Sequence, residues 1–279
     1  MKVLILGASG FLGSFLLKYL ESTGHEISCA SRKCWEEFNE SSGNSSKLKE
    51  LFSSNEAVIN CIAETDFNKC NHYNGIEANV AIPSKISKLI SESSIFCVHI
   101  STDAFYESES NNSNENSKIR LNNHYAQQKF DAELALADTN SLLLRTSFVG
   151  KNHRNAGMIN YLIDSIRFKK KIVGWNDVFT SSVHVSDLAR LIDVLIKHKR
   201  KGIFNFGTDQ CYSKFQLLEA IMKNYNSIEV SSINAPLDFK TRNFNCGMSS
   251  NKLISNFDFS LPTFQDVVQK CYIDIKNSL

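Results

Sequence analysis

The sequence has no excess charge of either sign. Lys and Arg number 31 and Asp and Glu 29, a formal net charge of +2 over 279 residues. Nothing in that balance implies bulk attraction to nucleic acid or to an anionic membrane surface. No apolar run approaches the ~18–20 residues of a membrane-spanning helix. Proline is scarce, at three residues, while Asn, Ser and Lys are abundant, which reads as compositional bias rather than function. The eight cysteines form no C-x-x-C pair and have no histidine at ligand spacing. That pattern implies no metal site and a reducing, cytoplasmic compartment. Cys29, Cys61 and Cys97 fall in expected strands, where a thiol serves as a small buried apolar group. No internal repeat or clear linker is visible. The N-terminus reads as a strand rather than a cleavable leader.

What is present is a hydrophobic fraction of 42%, enough for a full core. In the first half, strands and helices alternate. Strands are expected at Lys2–Leu6, Glu26–Ser31, Ala57–Cys61, Ile95–Ile100 and Ser141–Arg145. Helices are expected near Lys47–Ser53, at Asn79–Glu92 and at Asn123–Ala137. Such alternation argues for a parallel sheet covered on both faces, with ligands at the carboxyl ends of its strands. The second half is less regular. Ala156–Lys169 and Val185–Lys197 read as helices and Gly202–Phe206 as a strand. Ser213-Lys214-Phe215-Gln216 is a capping box opening a helix to about Asn224, and the last helix starts near Thr263. Glu107–Asn116, rich in Ser, Asn and Glu, is a loop, either an active-site flap or an unattached insertion.

Two motifs carry chemistry. Directly behind the apolar run Val3-Leu4-Ile5-Leu6 stands Gly7-Ala8-Ser9-Gly10-Phe11-Leu12-Gly13. A pyrophosphate needs backbone N–H groups and no side chains in the way, and a helix N-terminus supplies those donors with a favourable dipole. The spacing is G-x-x-G-x-x-G, between a strand and an amphipathic helix. The plain alternative is an ordinary turn that uses glycine. The end of the second strand reads Ser31-Arg32-Lys33. Two cations and a hydroxyl there suit the 2′-phosphate of NADPH, with NADH as the alternative cofactor and two solvated loop cations as the plain alternative.

The second motif is Tyr125-Ala126-Gln127-Gln128-Lys129, which follows Ser101-Thr102-Asp103 at a strand end. Tyr125 and Lys129, four apart on one helix, share a face. A nearby ammonium favours the phenolate and lowers the Tyr pKa from about 10. A Tyr so tuned can exchange a proton with a carbinol oxygen while hydride moves at the adjacent carbon, and Thr102 can orient the same oxygen. Arg145, Lys151, Arg154 and Arg242 read either as cations for a diphosphate or as ordinary solvated loop cations. His184 reads either as a substrate contact or as a satisfied structural residue before a helix.

In these residues and their order the chain resembles an extended short-chain dehydrogenase/reductase, and within that superfamily the dTDP-4-dehydrorhamnose reductase family. Asn60-Cys61-Ile62-Ala63-Glu64-Thr65 with Lys69, and Asn79 in the following helix, are similar to the family's segment after the third strand. His99-Ile100-Ser101-Thr102-Asp103, Tyr125 to Lys129 with Glu133, Leu144-Arg145-Thr146-Ser147 and Asp187-Leu188-Ala189 resemble further family segments. Asn68 departs from a usual acidic residue, Ser181-Ser182-Val183 from Ser-Pro-Thr, and Asn243 from the proline usual after Arg242.

The resemblance implies an α/β, doubly wound parallel-sheet Rossmann fold with a smaller, interleaved C-terminal substrate lobe. Residues 1–150 would form the NAD(P)-binding domain and 151–279 mainly the substrate lobe, with 176–206 returning to the first domain. It implies catalysis by Thr102, Tyr125 and Lys129. Gly7, Ser9, Gly10, Phe11, Leu12, Gly13, Ser31, Arg32, Lys33, Cys61, Ile62, Ala63 and Asn79, with Tyr125 and Lys129, would bind the cofactor. Thr65, Asp103 and Arg242 would bind a nucleotide-sugar substrate. The implied activity is reduction of a 4-keto group on a nucleotide-linked deoxysugar, in nucleotide-sugar or cell-surface polysaccharide synthesis, with a homodimer left open. Sister dehydratases carry an acidic residue where this chain has Ala104. An epimerase is the alternative activity, and a dinucleotide-binding regulatory subunit without catalysis is the alternative class.

Overall fold

The computed structural model describes residues 1–30, 34–35, 46–71, 73–107, 109–223, 225, 228–236 and 243–279. The chain opens with β1 (Lys2–Leu6), α1 (Phe11–Ser22) and β2 (Glu26–Ala30), then α2 (Ser46–Ser54) and β3 (Ala57–Asn60). After β3 come α3 (Ile82–Glu92), β4 (Phe96–Ile100), α4 (His124–Leu136) and β5 (Ser141–Thr146). Later elements are α5 (Met158–Arg167), α6 (Val185–His198), β6 (Gly202–Phe206), α7 (Lys214–Met222) and α8 (Phe264–Lys276).

Six strands form one sheet in the order β6-β5-β4-β3-β1-β2. The pairs β2–β1, β1–β3, β3–β4 and β4–β5 are parallel. The order shows why the strands read as apolar runs. Every residue of β3, β4 and β5, and all of β1 after Lys2, is buried, as in sheets covered on both faces. The chain leaves the central β1 for β2 on one side, then returns to β3 on the other. The loops after β1 and β3 therefore flank the point where the winding reverses, the usual ligand position of an open parallel sheet.

Contacts divide the chain into two compact units, each built from three stretches. Met1–Ser101, Asn123–Leu144 and Ala189–Ile203 make the first. Thr102–Asn122, Arg145–Leu188 and Phe204–Leu279 make the second. The first unit has a core in which Leu4, Leu6 and Val58 meet Ile86, Leu89 and Ile90 of α3. In the second, α5, α7 and α8 pool Ile159, Leu162, Leu217, Ile221, Val267 and Cys271 with Ile172. The parallel strands Ile172–Trp175 and Val230–Ile233 pair in that unit. Two capping boxes among the described residues fall there too. Ser213 Oγ accepts from Gln216 N and Thr263 Oγ1 from Asp266 N, with reciprocal side-chain bonds back. Among the described residues, no helix is long and apolar enough to cross a membrane.

Three local expectations need correction. Cys29 is exposed, because β2 is the edge strand of the sheet, while Cys97 in the inner strand β4 is buried. The helix expected from Asn79 begins earlier, at Tyr73, and passes through a π-helical turn over Glu77–Ala81 before α3. Pro83 is the cause we identify. It has no N–H for the carbonyl of Asn79 four residues back, and its ring crowds that carbonyl, so the turn widens. The third concerns Glu107–Asn116, which is no unattached insertion. Asn205 N donates to Glu115 Oε1 at 2.8 Å and Asn205 Nδ2 to Ser113 O at 3.0 Å. Ser113 N and O also bond Gly247 O and Ser249 N.

Candidate active site

The first unit holds the glycine turn, the segment after β3, and α4. Gly7 has φ +82°, a conformation that L side chains rarely adopt, and a Cβ there would stand 3.1 Å from Ile62 Cγ1. The loops after β1 and β3 thus touch at Gly7 and Ile62. At Gly13 a Cβ would lie 2.2 Å from the carbonyl oxygen of Gly7, so only glycine lets α1 sit this close to the turn. Gly10 is the N-cap of α1, and no side chain caps the helix. The first N–H groups of α1 have no partner in the helix ladder. They form the donor set that a phosphate needs, and the residues present fit a dinucleotide pyrophosphate. Ser9 is exposed and Phe11 half-buried, while Leu12 is buried in the core and can offer only its backbone.

Gly10 separates binding from folding. Its backbone, φ −78° and ψ 174°, is open to any residue, and a Cβ would approach only Gly7 O, at 3.1 Å. Gly10→Val is expected to keep the fold while its side chain fills the phosphate position. Calorimetric titration should then detect no NADPH binding by a variant that still melts cooperatively. Retained affinity would mean that the turn is only structural.

On α4, Asn123 Oδ1 accepts from Ala126 N at 2.8 Å and starts the helix. Its buried face carries Ala126, Ala132 and Leu136, but also Gln128, Lys129 and Glu133. Lys129 is 1% exposed. Its Nζ donates to Ile100 O at 2.8 Å and lies 3.3 Å from His99 Nε2. Burial lowers the Lys129 amine to about 8, with the Glu133 carboxylate and Cys61 pulling the other way. Burial, with Lys129 adding to it, also holds His99 well below the usual imidazole range. Ser101 Oγ donates to Glu133 Oε1 at 2.5 Å. Tyr125 is half-buried, and its ring packs on Phe67 with centroids 5.1 Å apart.

Asn79 is buried, and its side chain serves the loop after β3. Its Oδ1 accepts from Glu64 N at 2.9 Å, and its Nδ2 donates to Glu64 O and Gln128 Oε1, each at 3.0 Å. Gln128 Nε2 donates in turn to Cys70 O at 2.6 Å. That clip fixes the backbone beside Ala63 and Thr65, both of which are exposed. Ser31, Arg32 and Lys33 lie outside the described residues, as does Arg242.

Thr102 and Asp103 belong to the second unit. Thr102 Oγ1 accepts from Ala104 N at 3.1 Å. Burial raises the Asp103 carboxyl to about 6, although hydrogen bonds and Lys214 oppose it. Thr180 Oγ1 lies 3.3 Å from Asp103 Oδ2 and 2.8 Å from Ser182 Oγ, which lies 2.7 Å from Ser147 Oγ. Ser182 so extends a chain of hydroxyls from Asp103. Asn243, a departure from the family pattern, donates from Nδ2 to Ala104 O at 2.9 Å and Arg120 O at 3.0 Å. Proline has no such donor.

Two candidates prove structural. Arg145 is buried in β5, bonded to Tyr106 OH at 2.7 Å with its guanidinium 5.0 Å from the Phe105 ring centre, so it is no open diphosphate site. His184 is satisfied by Ser186 Oγ at 2.7 Å and Asp274 Oδ2 at 3.2 Å.

The parallel sheet, the glycine turn at its switch point and the Tyr-x-x-x-Lys helix have the architecture of the extended short-chain dehydrogenases/reductases. The chain belongs to the family described as the RmlD substrate binding domain, which matches residues 1–277. No curated protein matches it. Among solved structures it is similar to a dTDP-4-dehydrorhamnose reductase from Clostridium acetobutylicum, with 20% identity and a TM-score of 0.84, covering 99% of this chain and 100% of that one. The dTDP-4-dehydrorhamnose reductase of Bacillus anthracis, in complex with NADP, gives 20% identity and a TM-score of 0.85, covering 98% of each chain. A variant UDP-glucuronic acid 4-epimerase from Bacillus cereus, with NAD and a fluorinated UDP-sugar, gives 15% identity and a TM-score of 0.79, covering 100% of each chain.

Proposed function

We propose that this chain is an NADPH-dependent reductase of the 4-keto group of a nucleotide-linked deoxysugar, as in nucleotide-sugar or cell-surface polysaccharide synthesis. The observation that carries the reading is Lys129. A buried amine costs stability, and here it lies one helical turn from Tyr125, on the unit that also holds the glycine turn. The similarity to reductases, one of them crystallised with NADP, supports it. On this reading the first unit binds the cofactor, through the α1 N-terminus, Cys61, Ile62 and Ala63. Ser31, Arg32 and Lys33 are assigned the 2′-phosphate. Asn79 acts through Glu64, whose backbone it holds. Thr65, Asp103 and Arg242 are assigned to the substrate.

When bound, the nicotinamide supplies hydride. The chain's own residues manage the proton. Tyr125 donates its phenolic proton to the carbonyl oxygen as hydride reaches the carbon. Lys129, charged, stabilises the phenolate that remains. Thr102 is assigned a hydrogen bond to the substrate. The test is a panel of nucleotide-4-ketosugars with NADPH and NADH. Loss of one reduced cofactor per product is expected, faster with NADPH. The similarity to an epimerase favours a second reading. Turnover of an alcohol sugar with no net change in cofactor would establish it. Cofactor binding without turnover on any ketosugar would instead point to a regulatory subunit.

A further inference from the structure

The loop after β3 and the amine of Lys129 are joined by a buried polar chain that the proposed reaction does not use. Asn60 and His99 face each other across β3 and β4, as partners in register. Both are 0% exposed. Ile62 N donates to Asn60 Oδ1 at 3.1 Å, Asn60 Nδ2 lies 2.9 Å from His99 Nδ1, and His99 Nε2 lies 3.3 Å from Lys129 Nζ.

Counting protons along this chain leaves one arrangement. A backbone N–H only donates, so the oxygen of Asn60 faces Ile62 and the NH2 group faces His99. His99 Nδ1 must then accept. A neutral imidazole carries one proton, which sits on Nε2 and points at Lys129. That N–H needs a lone pair. A neutral amine has one and an ammonium has none. The observed arrangement is therefore complete only when Lys129 is a free amine.

We propose that His99 and Asn60 are positioning residues that tie the protonation of Lys129 to the backbone N–H of Ile62. When Lys129 takes a proton from solvent, His99 gives up its Nε2 proton and gains one on Nδ1, so its own proton count is unchanged. Nε2 then accepts from the ammonium. The new Nδ1–H requires the oxygen of Asn60, the amide turns over, and Ile62 N–H loses its acceptor. The remaining ionisable groups near Lys129 do not replace this path. Tyr125 and Glu133 lie one turn away on α4 itself, Glu133 is bonded to Ser101, and burial pushes the Cys61 thiol up to about 12. The functional meaning rests on the reading above, in which Ile62 lies on the cofactor segment. Charge at Lys129 would then be felt directly by the backbone that contacts the cofactor.

The test uses the free protein and nuclear magnetic resonance, with histidine and lysine labelled. Lys129 is assigned by comparison with Lys129→Met. As pH rises through the Lys129 midpoint, the His99 proton is expected to move from Nδ1 to Nε2. The Ile62 amide resonance should shift with the same midpoint. Lys129→Met should abolish both transitions. His99→Gln offers either a carbonyl or an amide to Lys129, so it should raise the Lys129 midpoint by at least one pH unit. A His99 proton that stays on one nitrogen across the titration would overturn the proposal, and this wild-type readout decides even if the variants do not fold. So would an Ile62 amide blind to Lys129. None of these measurements needs substrate or cofactor. A chain that reduces no ketosugar can still pass them, and an active reductase can still fail them.

Discussion

Tyr125→Phe is expected to cut ketosugar reduction by ~10²–10⁴ while leaving NADPH affinity nearly unchanged. Hydride addition to a ketone creates an alkoxide unless a proton arrives with it, and a positioned acid supplies that proton faster than water does. The substitution removes one oxygen and nothing else. The ring remains half-buried against Phe67, 5.1 Å between centroids, a contact that phenylalanine makes as well as tyrosine. Lys129 keeps its bond to Ile100 O, since that bond does not involve the tyrosine hydroxyl. Packing and cofactor binding should therefore survive while the chemical step slows. Single-turnover rates at saturating NADPH, beside a cofactor titration, separate the two. A near wild-type rate on a confirmed substrate would show that another group donates the proton.

What the sequence discloses of this fold and site is what can be read locally. Apolar runs of three or four residues mark the inner strands because both of their faces are covered. Tyr125 and Lys129 are legible because a helix places residues four apart on one face. That Gln128, Lys129 and Glu133 are buried on that face, and partnered there, is visible only in the structure. Features that depend on register or on distant stretches were not legible. Asn60 and His99 meet only because β3 and β4 pair in that register. Asn243 anchors residues more than 120 positions away, and Phe67 reaches Tyr125 from another helix. Two-residue strands such as Phe148–Val149 and Val183–His184 pair with each other, but they are too short to show a period. The exposure of Cys29 followed from strand order, which composition does not reveal.

Lys129→Met should remove activity at least as completely as Tyr125→Phe, and it should also change how stability depends on pH. The ammonium stabilises the Tyr125 phenolate in the proposed step, and it is bonded to Ile100 O at the end of β4, the strand next to β3 and its cofactor segment, so both rate and NADPH affinity should fall. Stability follows from burial. An unfolded lysine titrates near 10.4, and burial lowers Lys129 in the folded chain to about 8. Between those values the unfolded chain holds a proton that the folded chain has released. Wild-type stability must therefore rise with pH through that window, and the full burial penalty is present below it. Methionine has no proton to lose and fills a similar volume. From pH 7 to pH 9.5 the wild type should thus gain on the order of 2 kcal/mol relative to Lys129→Met. All other titratable side chains are present in both chains, but His99 and Glu133 lose the neighbouring charge in the variant, so the difference reads this amine together with its coupling to them. Urea unfolding of the two proteins at both pH values measures it. A difference that does not change with pH would mean that Lys129 titrates alike in the folded and unfolded chain, and the buried, tuned amine assigned to catalysis would be lost with it.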